Sequence, residues 1–283
     1  MSTLPEVIVE DDADTWDEAR DILLALARER RGSGSDVGDR DLDMLVAGRK
    51  WIYRGMRDST WGLRSSFHRF WGSMSQVARA RLHQDQLEEL RRAIGEHLAP
   101  TLSLEDPQDP ELEAFGQHYD MPTLLLDWSR NPLVAAFFAC ADSARNFNNT
   151  SLRLVVCALR TDSPVWNDQQ GCVQIVQAKN PINERVVRQM GLFTYDRSGK
   201  ATIEEYVRSA LDDEQVVQDV TTRGPVIRKV TFPLGVVAEA LEELEVFSIN
   251  SYAMFPDHTG VVRQAQLRII MRQLRKGAAT PSV

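Results

Sequence analysis

The chain has 283 residues, of which 43% are hydrophobic, and its formal net charge is -8. This composition is that of a globular protein with a full apolar core, and the acidic balance argues against a broad nucleic-acid footprint. Since no apolar run reaches about 18 residues and the N-terminal PEVIVEDDAD is acidic, we expect a cytoplasmic protein without a membrane span or signal peptide.

The spacing of apolar residues predicts elements along the whole chain. Helices are expected over residues 14–31, 74–97, 132–140 and 263–276, and strands near 52–53, 123–127, 152–159, 171–177 and 227–232. This alternation without strict βαβ regularity favours an α+β fold, a mixed sheet core with flanking helices. We divide the chain into an N-terminal helix with a flexible GSGSDVGD link (1–44), a main domain (45–265), and a helix end with a tail (266–283).

Polar residues cluster in residues 115–139, FGQHYDMPTLLLDWSRNPLVAAFFA. Pro122 breaks a helix, TLLLD is a short strand, and Asp127, Ser129 and Asn131 offer oxygens to cap a helix that starts near Pro132. Backbone amides at such a junction favour anions. The segment therefore indicates a binding site, unless Asp127 and Ser129 only cap the helix while His118 and Trp128 are satisfied core residues.

A second polar segment, WIYRGMRDSTWGLRSSFHR, covers residues 51–69. Arg54 stands at the end of a predicted strand, where its guanidinium is suited to hold a phosphate or carboxylate, or to pair with an internal Asp. Gly55 is interpreted as a turn or close-approach residue. Nucleic acid is an alternative ligand for this segment, unless its basic residues only cover an exposed surface. The basic residues are Arg49, Lys50, Arg54, Arg57, Arg64 and Arg69, and they are interleaved with the aromatic residues Trp51, Tyr53, Trp61 and Phe67.

These segments resemble the FRG domain family, named for its Phe/Tyr-Arg-Gly motif. The residues that carry the resemblance are Tyr53-Arg54-Gly55, Arg57-Asp58-Ser59, Trp61, His118-Tyr119, Pro122-Thr123, Leu125 to Ser129, Pro132-Leu133, Ala135, Asn183, Arg185, Gln189, Gly191, Phe193, Phe255-Pro256-Asp257 and Gly260. They follow the family's order over roughly residues 45 to 265. The chain departs from the family pattern at Leu124, where an Arg is usual, and at Asp120, where Gly is common. Arg130 or Arg54 would then have to neutralise Asp127.

A weaker resemblance links the chain to arginine-type ADP-ribosyltransferases. Tyr53-Arg54-Gly55 is similar to their aromatic-Arg-Gly strand, and Ser129 with Pro132, Val134, Ala135 and Phe138 is similar to their Ser-containing strand and following helix. The resemblance implies an ADP-ribosyltransferase-like fold in which Arg54 grips the pyrophosphate of NAD and Ser129 supports the nicotinamide pocket. A carboxylate would stabilise the positive charge that builds on the ribose carbon as the glycosidic bond opens.

The candidate residues follow from both resemblances, and no metal site is expected. The catalytic candidates are Gln189, Glu184, Asp257 and His118, although Glu184 is equally interpreted as a solvated residue and Asp257 as a turn former. The candidates for binding NAD are Tyr53, Arg54, Gly55, His118, Thr123, Asp127, Trp128 and Ser129.

Three functions are consistent with these residues. The preferred one is an NAD-utilising, ADP-ribosyltransferase-like enzyme that modifies nucleic acid or protein, or hydrolyses NAD, as a toxin or defence effector with an antitoxin or other partner protein. The alternative is a non-catalytic nucleotide or nucleic-acid binding module. A third, purely structural domain predicts that Arg54, His118 and Asp127 are buried and mutually paired with no open cleft.

Overall fold

A computed structural model describes residues 4–31, 44, 46–98, 110–145, 153–167, 172–177 and 184–278. The predicted GSGSDVGD link and Asn183 lie outside these residues. No helix among the described residues is long and apolar enough to cross a bilayer.

The centre of the molecule is a seven-stranded mixed sheet. Its strands are β1 (Ile8–Asp12), β2 (Trp51–Met56), β3 (Leu125–Ser129), β4 (Arg153–Arg160), β5 (Val173–Val176), β6 (Gly191–Asp196) and β7 (Ile227–Pro233). They lie in the order β1-β7-β4-β2-β3-β6-β5, and only the β1–β7 pair is parallel. The mixed sheet with flanking helices confirms the predicted α+β class.

Helices cover both faces of the sheet. They are α1 (Trp16–Arg28), α2 (Ser66–Trp71), α3 (Gln76–His97), α4 (Pro110–His118), α5 (Pro132–Ala144), α6 (Glu184–Arg188), α7 (Ile203–Ser209), α8 (Glu214–Arg223), α9 (Val237–Val246), α10 (Ser251–Met254) and α11 (His258–Ala278). Side chains alternate along each strand, so Trp51 and Tyr53 of β2 pack with α1, α5, α9 and α11. Ile52 and Met56 of the same strand join the core under α7 and α8.

The predicted helices are confirmed with shifted ends, and their caps follow the sequence. Thr15 caps α1 through a reciprocal pair with Glu18, and Asn131 caps α5 by accepting a bond from the amide of Leu133 at 2.9 Å. Two strands, β1 and β6, are absent from the sequence prediction. β3 begins and ends two residues later than expected, and Ser129 therefore lies within the strand instead of in the loop after it.

β1 belongs to the same sheet as the strands of the main domain. Its five residues pair in register with the first five residues of β7, and its acidic side chains find partners there. Asp11 accepts bonds from Arg228, the shorter at 2.6 Å, and Asp12 accepts one from the Thr231 hydroxyl. An acidic segment thus becomes a strand because another strand supplies the complementary donors.

Candidate functional site

A cleft of about 560 Å³ opens where β2 and β3 meet α5. Most of the residues predicted to form the site line it, namely Tyr53, Arg54, Gly55, His118, Asp127, Trp128, Ser129 and Gln189. The cleft is inconsistent with the purely structural alternative, which required a closed site. His118 is exposed at the end of α4.

Gly55 lets β2 approach α5 closely. A Cβ atom at Gly55 would lie 1.8 Å from the carbonyl oxygen of Ala135 and 2.9 Å from the amide nitrogen of Ala139. Only a residue without a side chain fits, which confirms the close-approach interpretation. The neighbouring Arg54 is thereby held against the wall of the cleft, inside the strand and not at its end as predicted.

Arg54 and Asp127 form the centre of a hydrogen-bonded chain. Nη1 of Arg54 donates to the backbone oxygen of Asp127 at 2.9 Å and lies 3.5 Å from its carboxylate. The same carboxylate accepts a bond from Nε2 of Gln117 at 2.6 Å, and the Gln117 oxygen accepts one from the Thr123 hydroxyl at 2.5 Å. The Arg54 Nε is buried and has no acceptor among the described residues. Thr123 is itself fully buried and orients Gln117 from behind the cleft.

Ser129 and Gln189 join β3 to the segment that precedes β6. The Ser129 hydroxyl donates to the backbone oxygen of Gln189 at 2.7 Å and accepts the amide of Asn131 at 3.1 Å. The Gln189 side-chain amide donates to the backbone oxygen of Met254 at 3.1 Å. Because Asn131 provides the side-chain cap of α5, the interpretation of Asp127 as its cap is wrong.

Tyr53 and Trp128 contribute mainly buried surface. The Trp128 indole donates to the Thr194 hydroxyl at 2.9 Å within the core. Burial raises the pKa of Tyr53, whose hydroxyl is enclosed and without a hydrogen-bond partner among the described residues. Tyr53 is therefore neutral at ordinary pH and is not a proton acceptor.

Two catalytic candidates do not line the cleft. The Glu184 side chain is 71% exposed and forms an ion pair at 3.9 Å with Arg188 of the same helix. Asp257 is bound by Arg185, whose hydrogen bonds lower the pKa of the carboxyl, together with bonds from Thr259. Because Arg185 holds the Asp257 carboxylate, this carboxylate is not directed at a reacting centre in the cleft.

The two departures from the family pattern have local explanations. Asp120 has a φ of 64°, a left-handed conformation that Gly adopts without strain and Asp tolerates. Leu124 is buried among Phe67, Leu125 and Phe193, so its position faces an apolar cluster. Asp127 is neutralised from β2 by Arg54, one of the two arginines proposed for that role.

Sequence reasoning missed one whole wall of the cleft. Phe138, Asp142 and Arg145 of the α5 segment line it, as do Phe255 and Arg263 from the C-terminal part of the chain. The signal for the first three was present, since positions 135, 138, 142 and 145 fall on one helical face and the face carries charges within an apolar run. No local pattern indicates Arg263, which belongs to an amphipathic helix over 100 residues further along the chain.

The basic segment at 49–69 does not form the stacking surface that the nucleic-acid alternative requires. Trp51, Tyr53 and Phe67 are buried, and only Trp61, 43% exposed and covered by Arg57 at 4.7 Å, is accessible. Trp51 and Tyr53 point into the core from one face of a strand, and Phe67 points into it from the inner face of a helix.

A second cleft of about 740 Å³ lies between α3 and the end of β6. It contains His68 and His83 but none of the candidate residues. Burial lowers the pKa of His68 against the opposing effect of the Asp196 carboxyl, and burial raises the pKa of Asp196. Burial thus disfavours the charged form of each of these two groups.

Comparison with protein families matches residues 49–148 to the FRG domain. The chain therefore contains an FRG domain, as its motifs predicted, and the matched segment supplies Arg54, Asp127, Ser129 and α5. No curated protein and no solved structure gives a match to the chain.

Proposed function

We propose that the chain is an NAD-utilising enzyme that transfers ADP-ribose to a nucleic acid or protein, or hydrolyses NAD. The observation that carries the proposal is the pairing of Arg54 with Asp127 in an open cleft, where the Arg54 Nε has no acceptor of its own. A pyrophosphate offers acceptors for a guanidinium in this position. A role as a toxin or defence effector, controlled by an antitoxin or another partner protein, is part of the same proposal.

Asp127 is the best candidate for the carboxylate of the reaction. It is next to Arg54 and its side chain is 61% exposed to the cleft, whereas Glu184 and Asp257 do not line it. A fixed carboxylate stabilises the positive charge that develops on a ribose carbon more strongly than it stabilises the neutral ground state. The bond from Gln117 holds the Asp127 carboxylate in one orientation.

Nicotinamide release and calorimetric NAD binding test the proposal. We expect Arg54→Ala to weaken NAD binding by at least about tenfold, because one charge-assisted contact contributes about 1.5–3 kcal/mol. Asp127→Asn should reduce nicotinamide release while NAD still binds. Arg272→Gln, at an exposed position of α11, serves as the control and should behave as wild type.

The proposal is wrong if purified wild-type protein releases no nicotinamide, with or without RNA and protein acceptors, and if Arg54→Ala binds NAD as well as wild type does. Release that is unchanged in Asp127→Asn would reject only the carboxylate assignment.

A second candidate function is binding of a nucleotide without any reaction. It is favoured because the carboxylates near the cleft already have partners within the protein. The Asp127 carboxylate already contacts Arg54 and Gln117, and Asp257 is bound by Arg185. Under this alternative NAD or RNA binds and no product forms, and the affinity for RNA falls steeply with salt because binding releases counterions.

A further inference from the structure

The far end of the cleft holds two arginines. Arg145 and Arg263 both line the cleft, and neither forms an ion pair with a carboxylate among the described residues. The Nε of Arg145 is buried without an acceptor there. The two guanidinium groups are therefore partly desolvated cations in a concave wall.

Their proximity is unfavourable in the unliganded protein. Burial, and then the positive charges of Arg145 and Arg185, lower the pKa of Arg263. Asp257 and Asp142 act in the opposite direction, but Asp257 binds Arg185 and Asp142 lies 3.7 Å from Arg57. Two like charges in such a position are stabilised when an anion binds between them.

An aromatic ring supports Arg263. Arg263 lies over the ring of Phe255 at 4.1 Å, and Arg185 lies 5.7 Å from the centre of the same ring. Phe255 packs edge-on against Phe138 of α5 at 6.0 Å. This packing limits the freedom of the Arg263 guanidinium, which lowers the entropy lost when a ligand binds.

The arginine pair is separate from Arg54. Gly55 packs on Ala135 and Ala139 of α5, and Arg145 follows six to ten residues later at the end of that helix, about 9–15 Å along the helix axis. The two phosphates of one pyrophosphate share a bridging oxygen, so a pyrophosphate on Arg54 leaves the arginine pair for another group.

We propose that Arg145 and Arg263 form a second phosphate subsite, which binds a phosphate ester of the acceptor. Its ligand rests on the proposed function, because a nucleic-acid acceptor would bring such a phosphate, whereas both phosphates of NAD belong to the pyrophosphate assigned to Arg54. The subsite itself requires only an oxyanion with several acceptors, which two guanidinium forks recognise through parallel hydrogen bonds.

Thermal unfolding in inorganic phosphate, compared with chloride at equal ionic strength, tests the subsite without NAD. We expect phosphate to raise the Tm of wild type, and the double variant Arg145→Gln/Arg263→Gln to bind phosphate at least about tenfold more weakly and to lose that rise. The variant should fold, because it removes a repulsion. Arg272→Gln on the exposed side of α11 should keep the full phosphate effect.

Calorimetric titration of ADP-ribose and of a short single-stranded RNA then identifies the source of the phosphate. A loss of at least about tenfold for the RNA in the double variant, with the affinity for ADP-ribose unchanged, supports the subsite and assigns its ligand to the acceptor. The proposal is overturned if wild type shows no phosphate-specific rise in Tm, or if the double variant retains it. Failure of NAD to bind beside an intact phosphate effect would reject the proposed NAD chemistry and leave the subsite standing.

Discussion

Gly55 shows how a single position determines the geometry of the cleft. The strand carrying Arg54 contacts the backbone of α5 directly, and the atom that a Cβ would meet is a carbonyl oxygen that cannot rotate away. Any side chain at this position must move β2 or α5. The distance between them sets where Arg54 meets Asp127.

Gly55→Ala should therefore lower both stability and ligand binding. We expect the free energy of unfolding to fall by about 3 kcal/mol or more, at or above the upper end of the usual range for overpacking, since the clash involves backbone. Gly95→Ala is the matched control. Gly95 lies exposed within α3 with nothing within 4 Å of its Cβ position, and alanine there should raise stability by about 0.5–1 kcal/mol. Denaturant unfolding measures both, and equal effects of the two substitutions would contradict the close-approach interpretation.

At the scale of elements, a buried charge network attaches α8 to the end of β4. Arg160 is fully buried, and its Nη1 donates to Asp219 at 3.3 Å while its Nη2 makes a closer bond to the same carboxylate. Its backbone oxygen accepts the indole of Trp166 at 2.6 Å. Arg223 adds a contact to Asp219 at 3.5 Å from the end of α8.

Asp219→Ala should destabilise the fold by about 3–5 kcal/mol, because it leaves the Arg160 guanidinium in the core without its main partner. The double variant Arg160→Met/Asp219→Leu should recover much of the loss, since a buried pair is often replaceable by apolar residues of similar volume. Urea unfolding of the two variants and wild type measures this. If Asp219→Ala were as stable as wild type, the network would contribute no more to the free energy of unfolding than an exposed ion pair does. Glu245→Ala, which removes the partly exposed Arg268 pair at 2.8 Å, is the control and should cost at most about 1 kcal/mol.

At the scale of the whole molecule, the N-terminal segment is part of the sheet and the core. Trp16 packs edge-on against Phe232 of β7 at 5.9 Å, and Leu23 and Leu26 are buried in the same cluster. The Trp16 indole also donates to Glu243 of α9, as does Arg20 at 2.8 Å. Residues far from the FRG match thus complete the hydrophobic core beneath α5.

A chain lacking residues 1–30 should lose cooperative unfolding or unfold at a much lower temperature. Removal of this segment would expose the edge of β7 and the apolar surface that α1 covers. In such a core, the truncation of a single leucine to alanine already costs about 2–5 kcal/mol. Near-ultraviolet circular dichroism during heating tests this. A chain lacking only residues 1–4 is the control, since Leu4 is 67% exposed. An unchanged transition in the longer deletion would mean that the main domain folds without this segment.

Much of the fold could be predicted because its signals are local. The cap at Thr15, the break at Pro122, the start of α5 at Pro132 and the apolar run of β4 depend on neighbouring residues alone. β1 and β6 could not be predicted in this way, since the acidic side chains of β1 are accommodated only by Arg228 and Thr231 of another strand.

The sequence by itself determined the FRG domain of residues 49–148, the α+β class, and the placement of Arg54, Gly55, Asp127 and Ser129 at one site, because these residues form compact motifs at fixed spacing. Tertiary structure alone decided that Glu184 and Asp257 do not line the cleft and that Arg145 and Arg263 do. The physical reason is sequence separation. A motif indicates the backbone conformation of a short segment and the side chains on it. Which side chains face one another across a cleft depends on how helices distant in sequence pack.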